Sequence, residues 1–192
     1  MRTDTKTALL NSAEAAARVR GFDGFSYADL ARDVGIRKAS IHHHFPSKAD
    51  LSVAMMTRYT QAMADDLDMI SARYASAGQH LAALITLYKS ALHDGTSQCL
   101  CVAFSVSIDS LPVETAILVV QFRTMMVDWL THVFEHAVAD HSIAGVVHPK
   151  DEAAATLALL EGAHLAAHAA QDVDVFDASV SLLAKRMHTQ GF

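Results

Sequence analysis

Three consecutive histidines, His42, His43 and His44, close a short run that also holds Arg37, Lys38 and Ser40. Two chemistries could use them: metal ligation and recognition of a polyanion. Successive helical residues stand about 100° apart, so three adjacent imidazoles on a helix cannot converge on one ion. Spread around a helix, cations, hydroxyls and protonatable rings suit the phosphates and base edges of duplex DNA. A second set lies far along the chain: Leu157, Glu161, His164 and His168 share one helical stripe, and His132 and His136 form an i, i+4 pair. Four histidines and a glutamate could make a metal or anion site, but a hydrogen-bonded polar seam is the expectation. Cys99 and Cys101 are too close in sequence for an unstrained disulfide, and no adjacent Lys, Arg or His would activate either thiol. Buried structural thiols in a reducing compartment follow. The sequence holds no glycine-rich phosphate loop, no nucleophile elbow and no HExxH, so neither catalysis, nor a cofactor, nor a resident metal is expected.

The elements that must position these residues are helical throughout. Only 8 Gly and 3 Pro punctuate 192 residues, and helix formers dominate between them. Leu9, Ala13 and Ala16 recur at helical spacing from Thr5 to Arg20, where Gly21 offers a C-terminal cap. Ser26 with Asp29 predicts a capped second helix to about Val34, with Phe25 and Leu30 at staple positions. Gly35 ends it, a third helix covers about Arg37 to His44, and Phe45-Pro46 breaks the run. Ser47 with Asp50 repeats the capping signature and opens a long fourth helix to about Tyr74. Further helices are expected at about 78–93, 98–109, 112–140, 150–170 and 174–189. Two short helices around a glycine-containing tight turn, with Leu30, Ala31, Val34, Ile36 and Ile41 as a small core, are the geometry that holds a second helix in a major groove.

The string Gly35-Ile36-Arg37-Lys38-Ala39-Ser40-Ile41-His42-His43-His44-Phe45-Pro46-Ser47-Lys48-Ala49-Asp50-Leu51, preceded by Gly24-Phe25-Ser26, resembles the DNA-binding signature of the TetR (tetracycline-repressor-like) family. The resemblance covers about the first 55 residues. It implies an all-α, homodimeric transcription regulator, usually a repressor. Residues 1–50 would form a three-helix DNA-binding domain, and residues 51–192 a helical effector-binding and dimerisation domain. It further implies that Lys38, Ala39 and His43 face bases. Ser40, His42, His44, Lys48 and Ser26 or Tyr27 would face phosphates. Two positions depart from the family pattern. Arg37 stands where Ser or Thr is common, so the side-chain N-cap is lost and a charge that can reach phosphate or guanine is gained. His42 stands where Tyr is common, which makes that phosphate contact depend on protonation.

The rest of the chain carries no motif that selects a ligand. Apolar stripes with Met, Tyr, Phe and the sole Trp suggest an adaptable cavity for a small-molecule effector. Its expected lining is Tyr59, Met63, Tyr88, Phe104, Phe122, Met126 and Trp129, with Glu161 and His164 as polar partners. A metal or oxidant sensor of the same fold, or an architectural DNA-binding protein without effector, are the alternatives. The net charge of -6 is uneven: residues 1–50 hold 8 basic and 6 acidic side chains, against 7 and 15 in the remainder. That modest polarity suits DNA contact by the N-terminal quarter, and the resemblance implies that the DNA site is palindromic. The uncharged stretch from Gly95 to Ile108 is too short and too polar to cross a membrane. The first 20 residues carry no apolar run of the signal-peptide kind, so a cytoplasmic protein is expected. Small Ala154, Ala158, Ala163, Ala166, Ala167 and Ala170 leave room for close helix approach. With the apolar Val173, Val175, Phe176, Val180, Leu183 and Met187, they nominate the last two helices as the dimer interface.

Overall fold

The computed structural model describes residues 4–187. Nine α-helices lie among them: α1 (Thr5–Arg20), α2 (Tyr27–Val34), α3 (Lys38–His44), α4 (Lys48–Arg73), α5 (Ala77–Ser90), α6 (Leu100–Ser105), α7 (Val113–Asp140), α8 (Pro149–Ala170) and α9 (Asp174–Ala184). None of these helices is long and apolar enough to cross a membrane. The chain forms two compact units. Residues up to Gln61 pack with Leu100–Gln121, and Ala62–Cys99 pack with the residues from Phe122 on.

In the first unit, α1 buries Leu9, Leu10, Ala13 and Ala17 along one stripe and ends at Gly21, whose N–H donates to the Ala17 carbonyl. The Ser26–Asp29 box closes reciprocally over the start of α2: Ser26 N–H donates to Asp29 Oδ2 at 2.9 Å, and Asp29 N–H donates to Ser26 Oγ at 3.4 Å. Gly35, at φ 73°, ends α2 in the left-handed conformation open to glycine. Ser47 and Asp50 cap α4 in the same reciprocal way, at 2.9 and 3.1 Å. The helix expected at 98–109 is shorter than its sequence span. After α6 the chain passes through Val106 and Ser107 into a 3-10 helix at Ile108–Ser110. No side chain caps this junction, and Ser110 Oγ instead donates to Asp23 Oδ2 at 2.6 Å, tying the stretch to the α1–α2 turn. Phe104 meets Phe22 edge to face, 5.9 Å between centroids.

In the second unit, α5 starts where three groups take up its first free N–H donors: Asp140 Oδ2 accepts from Ala77, Ser142 Oγ from Gly78 and Ser76 Oγ from Gln79. A methyl group on Gly78 would lie 2.8 Å from the Ser142 carbonyl, so the loop after α7 can reach this helix start only past a glycine. Burial works to raise the Asp140 carboxyl, but the N–H donors of Ser142 and Ala77 outweigh it and hold the group below the usual range. A carboxyl lowered on folding stabilises the fold above its unfolded pKa, and that stabilisation is lost as pH falls through the folded value. Asp140→Ala should therefore cost about 1 kcal/mol near neutrality. It should also flatten the loss of stability between about pH 5 and pH 2, as read by urea melts across that range.

The chain between α5 and α6 places His93, Asp94 and Gly95 at φ 45°, 57° and 85°. A Cβ at Gly95 would meet the Asp172 nitrogen at 2.6 Å, so the backbone of this turn lies directly against the end of α8. The last helix expectation, 174–189, overshoots: α9 stops at Ala184, and residues 188 and 189 lie outside the described residues. The chain leaves the helix because Met187 forms a β-bridge with Ile143. Arg186 reinforces the turn, donating to the Ala144 carbonyl and, through both terminal nitrogens, to Glu152 at 2.9 Å. Along α9, Phe176, Val180 and Leu183 are buried within the protomer, leaving Leu182 as its outward apolar side chain, 75% exposed.

Candidate nucleic-acid interface and the helical core

α3 is short, and its place depends on what lies beneath it. Leu30 of α2 and Ile41 of the expected small core are buried, joined by Phe45, whereas Ala31, Val34 and Ile36 are only half-buried. Arg37, Lys38, Ala39, Ser40, His42 and His43 are all exposed, and His44 is half-buried. This is an unbroken polar surface on a helix held from below. Arg37 makes no capping hydrogen bond, as its side chain requires. Ser26 is exposed, but its hydroxyl donates to Asp29 at 2.7 Å. The rings of His43 and His44 stand edge to face at 5.5 Å. Among the described residues, no group of three or more His, Cys, Asp or Glu could hold a metal ion.

Two residues nominated for phosphate have polar atoms engaged within the unit. Tyr27 is buried, its hydroxyl 2.9 Å from the Phe45 carbonyl and 2.5 Å from that of Ser47, so one proton serves both. Burial, with the Asp50 carboxylate adding to it, pushes this phenol up to about 12, and it remains a donor. Tyr27 thereby fastens the α3–α4 junction to the start of α2. Lys48 donates to the Phe25 carbonyl at 2.7 Å, and its ammonium sits 4.5 and 4.4 Å from the Phe22 and Phe25 ring centroids. Desolvation lowers its pKa, with Asp23 partly opposing. The ring pair escaped sequence reading, although two phenylalanines three apart beside a capped helix start are its visible trace. The Pro46 carbonyl was missed too. His42 Nδ1 lies 3.0 Å from it, an i, i+4 contact at the end of α3.

The residues nominated for an effector cavity fall in both units. Tyr59 and Phe104 belong to the first, and Met63, Tyr88, Phe122, Met126, Trp129, Glu161 and His164 to the second. Met63, Tyr88, Phe104, Phe122 and Met126 are buried, while Tyr59 and Trp129 are half-buried. The Trp129 indole N–H donates to Ser71 Oγ at 3.0 Å. Glu161 is buried and accepts a short hydrogen bond from Arg123. His164 is fully buried between Tyr88 and Phe176, whose rings it meets edge to face at 5.3 and 5.5 Å. Its Nδ1 accepts from the Cys99 N–H at 3.1 Å, and its Nε2 donates to the Tyr88 carbonyl at 3.0 Å. Of the stripe read from sequence, His168 reaches the Gly95 carbonyl at 3.3 Å. Cys99 and Cys101 are buried and form no disulfide. A cleft of ≈ 670 Å³ lies in the second unit, lined by Asp66, Met69, Ile70 and Arg73 of α4 and by Thr86 and Leu87 of α5 among others. None of the nine nominated residues is in its lining.

Comparison with known proteins bears on both units. The family model of bacterial regulatory proteins, tetR family, matches residues 9–55, the span from α1 into α4. A transcriptional regulator of that family from Agrobacterium tumefaciens is 30% identical, with a TM-score of 0.90 over 96% of this chain and 98% of that one. A TetR transcriptional regulator from Legionella pneumophila is 27% identical, with a TM-score of 0.87 over 98% and 100%. AibR, whose crystal structure holds isovaleryl coenzyme A and operator DNA, shares the fold at 20% identity and a TM-score of 0.70, over 96% and 100%. No protein with a curated function matches the sequence.

Proposed function

Because the chain belongs to the TetR family of transcriptional regulators, we propose that it acts in the cytoplasm as a homodimeric repressor, released from a palindromic operator by a small-molecule effector. The observation that carries the reading is α3. It is a polar helix exposed along Arg37, Lys38, Ala39, Ser40, His42 and His43 and fixed by Ile41, Phe45 and the Tyr27 hydroxyl. In this reading residues 1–50 bind DNA and residues 51–192 bind effector and partner. Lys38, Ala39 and His43 meet bases; Arg37, Ser40, His42 and His44 meet phosphates or nearby edges, with Ser26 at the rim. Tyr27 and Lys48 serve the interface by holding α3 and the start of α4 in place, beside the backbone rather than on it. The effector reading draws on AibR, which was crystallised with both an acyl coenzyme A and operator DNA. For this chain the effector would be bound within the second unit, with Met63, Tyr88, Phe122, Met126 and Trp129 as its apolar contacts. No catalytic step is part of the reading.

Selection of duplexes from a random-sequence pool tests it. A palindrome should emerge, and Lys38→Ala or His43→Ala should cost about 1–3 kcal/mol and relax preference at particular base pairs. Ser40→Ala should instead weaken all duplexes alike. Recovery of no preferred sequence would leave an architectural role.

A further inference from the structure

We infer that the first unit carries a dimer contact of its own: the outward face at the start of α7, formed by Val113, Ile117 and Val120, meets the same face of a second copy of the chain across a two-fold axis. The inference rests on the homodimer proposed above and adds a surface to it. Among the described residues eleven large apolar side chains are exposed, and five of them, Val106, Ile108, Val113, Ile117 and Val120, fall within fifteen positions around the α6–α7 junction. All five belong to the first unit. Scattered singly, such side chains need no partner, but gathered in this way they mark a surface that another molecule covers.

α7 supplies its own comparison. Val113, Ile117 and Val120 stand at i, i+4 and i+7 on one face, 71%, 51% and 60% exposed. Past Gln121 the same face continues through Thr124, Asp128, Thr131 and Glu135, the composition of a helix surface turned to water. Its first two turns lack that composition. No charge interrupts the three apolar positions, and a face that meets its own image can carry none at its centre, because each charge there would oppose its like. The area a dimer needs points the same way. A typical stable interface takes about 800 Å² and roughly 20–30 residues from each partner. The helices nominated for the dimer, α8 and α9, expose mainly small side chains such as Ala154, Ala158 and Ala166, with Leu165 and Leu182 as their exposed large apolar ones. Much of the apolar area must come from elsewhere. A contact at the α6–α7 junction also acts directly on the DNA-binding element. Ser110 Oγ donates to Asp23 at 2.6 Å, Phe104 meets Phe22 edge to face, and the Thr115 hydroxyl shares a buried hydrogen bond of 2.7 Å with Ser52 of α4. The junction is thereby fastened to the α1–α2 turn and to the helix that follows α3. Two copies joined there hold their α3 helices at a fixed separation, which half-sites about 34 Å apart require.

Ile117→Asp tests this without entering the protomer's core, because the side chain is exposed. Its helical content by circular dichroism should match that of the wild type. In sedimentation equilibrium its dimer should dissociate at least roughly tenfold more readily, and affinity for the selected duplex should fall by at least as much. Thr124→Asp, on the polar continuation of the same face, should change both by less than about twofold. Val113→Cys, Ile117→Cys and Val120→Cys, treated one at a time with a short bifunctional maleimide, should yield a covalent dimer from at least one position. Val19→Cys, exposed on α1, should yield none. Dimerisation and duplex binding of Ile117→Asp at the wild-type level, an equal loss from Thr124→Asp, or no cross-link from any of the three cysteines would overturn the inference while leaving the homodimer in place. A wild-type protein that is monomeric at micromolar concentration and binds no duplex would overturn both.

Discussion

Ala166→Arg should give a folded monomer with operator affinity reduced roughly a hundredfold or more, although the residue is far along the sequence from the DNA-binding helices. Ala154, Ala158, Gly162 and Ala166 recur every fourth residue along α8, and all four are exposed. A methyl group on Gly162 would meet nothing within 4 Å. α8 also exposes Leu165, and α9, which packs against it, exposes Leu182, at 41% and 75%. Such a surface lets two helices approach closely and bury apolar side chains at their edges. An arginine in this run would hold the backbones apart and place a charge in the seam. A two-fold regulator reads two half-sites about 34 Å apart, so loss of the dimer forfeits the second half-site and its effective concentration. Sedimentation velocity and binding to the selected duplex check both parts. Leu182→Asp should do the same, whereas Leu183→Asp would destabilise the protomer itself, because Leu183 is buried in its own chain. If Ala166→Arg stays dimeric, the interface lies elsewhere.

His164→Leu should lower stability by about 2–3 kcal/mol, even though the replacement is apolar and of similar bulk. The fully buried ring joins two backbone groups from separate stretches, the Tyr88 carbonyl at the end of α5 and the Cys99 N–H just before α6. Leucine removes the acceptor of one and the donor to the other, in surroundings that admit little water. The edge contacts with Tyr88 and Phe176 go with them. In a chain of this length the melting temperature should fall by about 4–12 °C. A change within about 1 °C would show that the surrounding packing, rather than the bridge, orders this part of the unit.

Much of the helical order was legible because its signals are local. Ser26 with Asp29 and Ser47 with Asp50 are three residues apart, and both boxes form as their spacing requires. Gly35 stops α2 for reasons contained in its own backbone. The ends that escaped prediction are set by distant partners. α9 stops four residues before the predicted span leaves the described chain because Arg186 and Met187 turn back to Ala144, Glu152 and Ile143, some 34 to 44 positions upstream. The break after α6 is likewise tied to Asp23. For the interface, residue type and helical phase show which side chains face outward on α3. They cannot show that Tyr27 and Lys48, equally polar, direct their polar atoms to carbonyls formed by other elements. The polar stripe of α8 was visible as a stripe, but its division into an ion pair at Glu161, a buried bridge at His164 and a loop contact at His168 depends on what packs against each.

The setting of Lys48 changes how charge should be counted on this surface. A cation that docks on DNA releases counterions condensed along the duplex, and the exponent of the salt dependence records roughly 0.9 per phosphate neutralised. The Lys48 ammonium has already exchanged part of its hydration for two ring faces and the Phe25 carbonyl, so its charge is held inside the binding element. Tallying lysines and arginines from the sequence would therefore overstate the ionic strength response of this regulator. With α3 on DNA as proposed, its tolerance of salt should be set instead by the outward cations of α3, and the inward one should contribute chiefly to the rigidity with which they are presented.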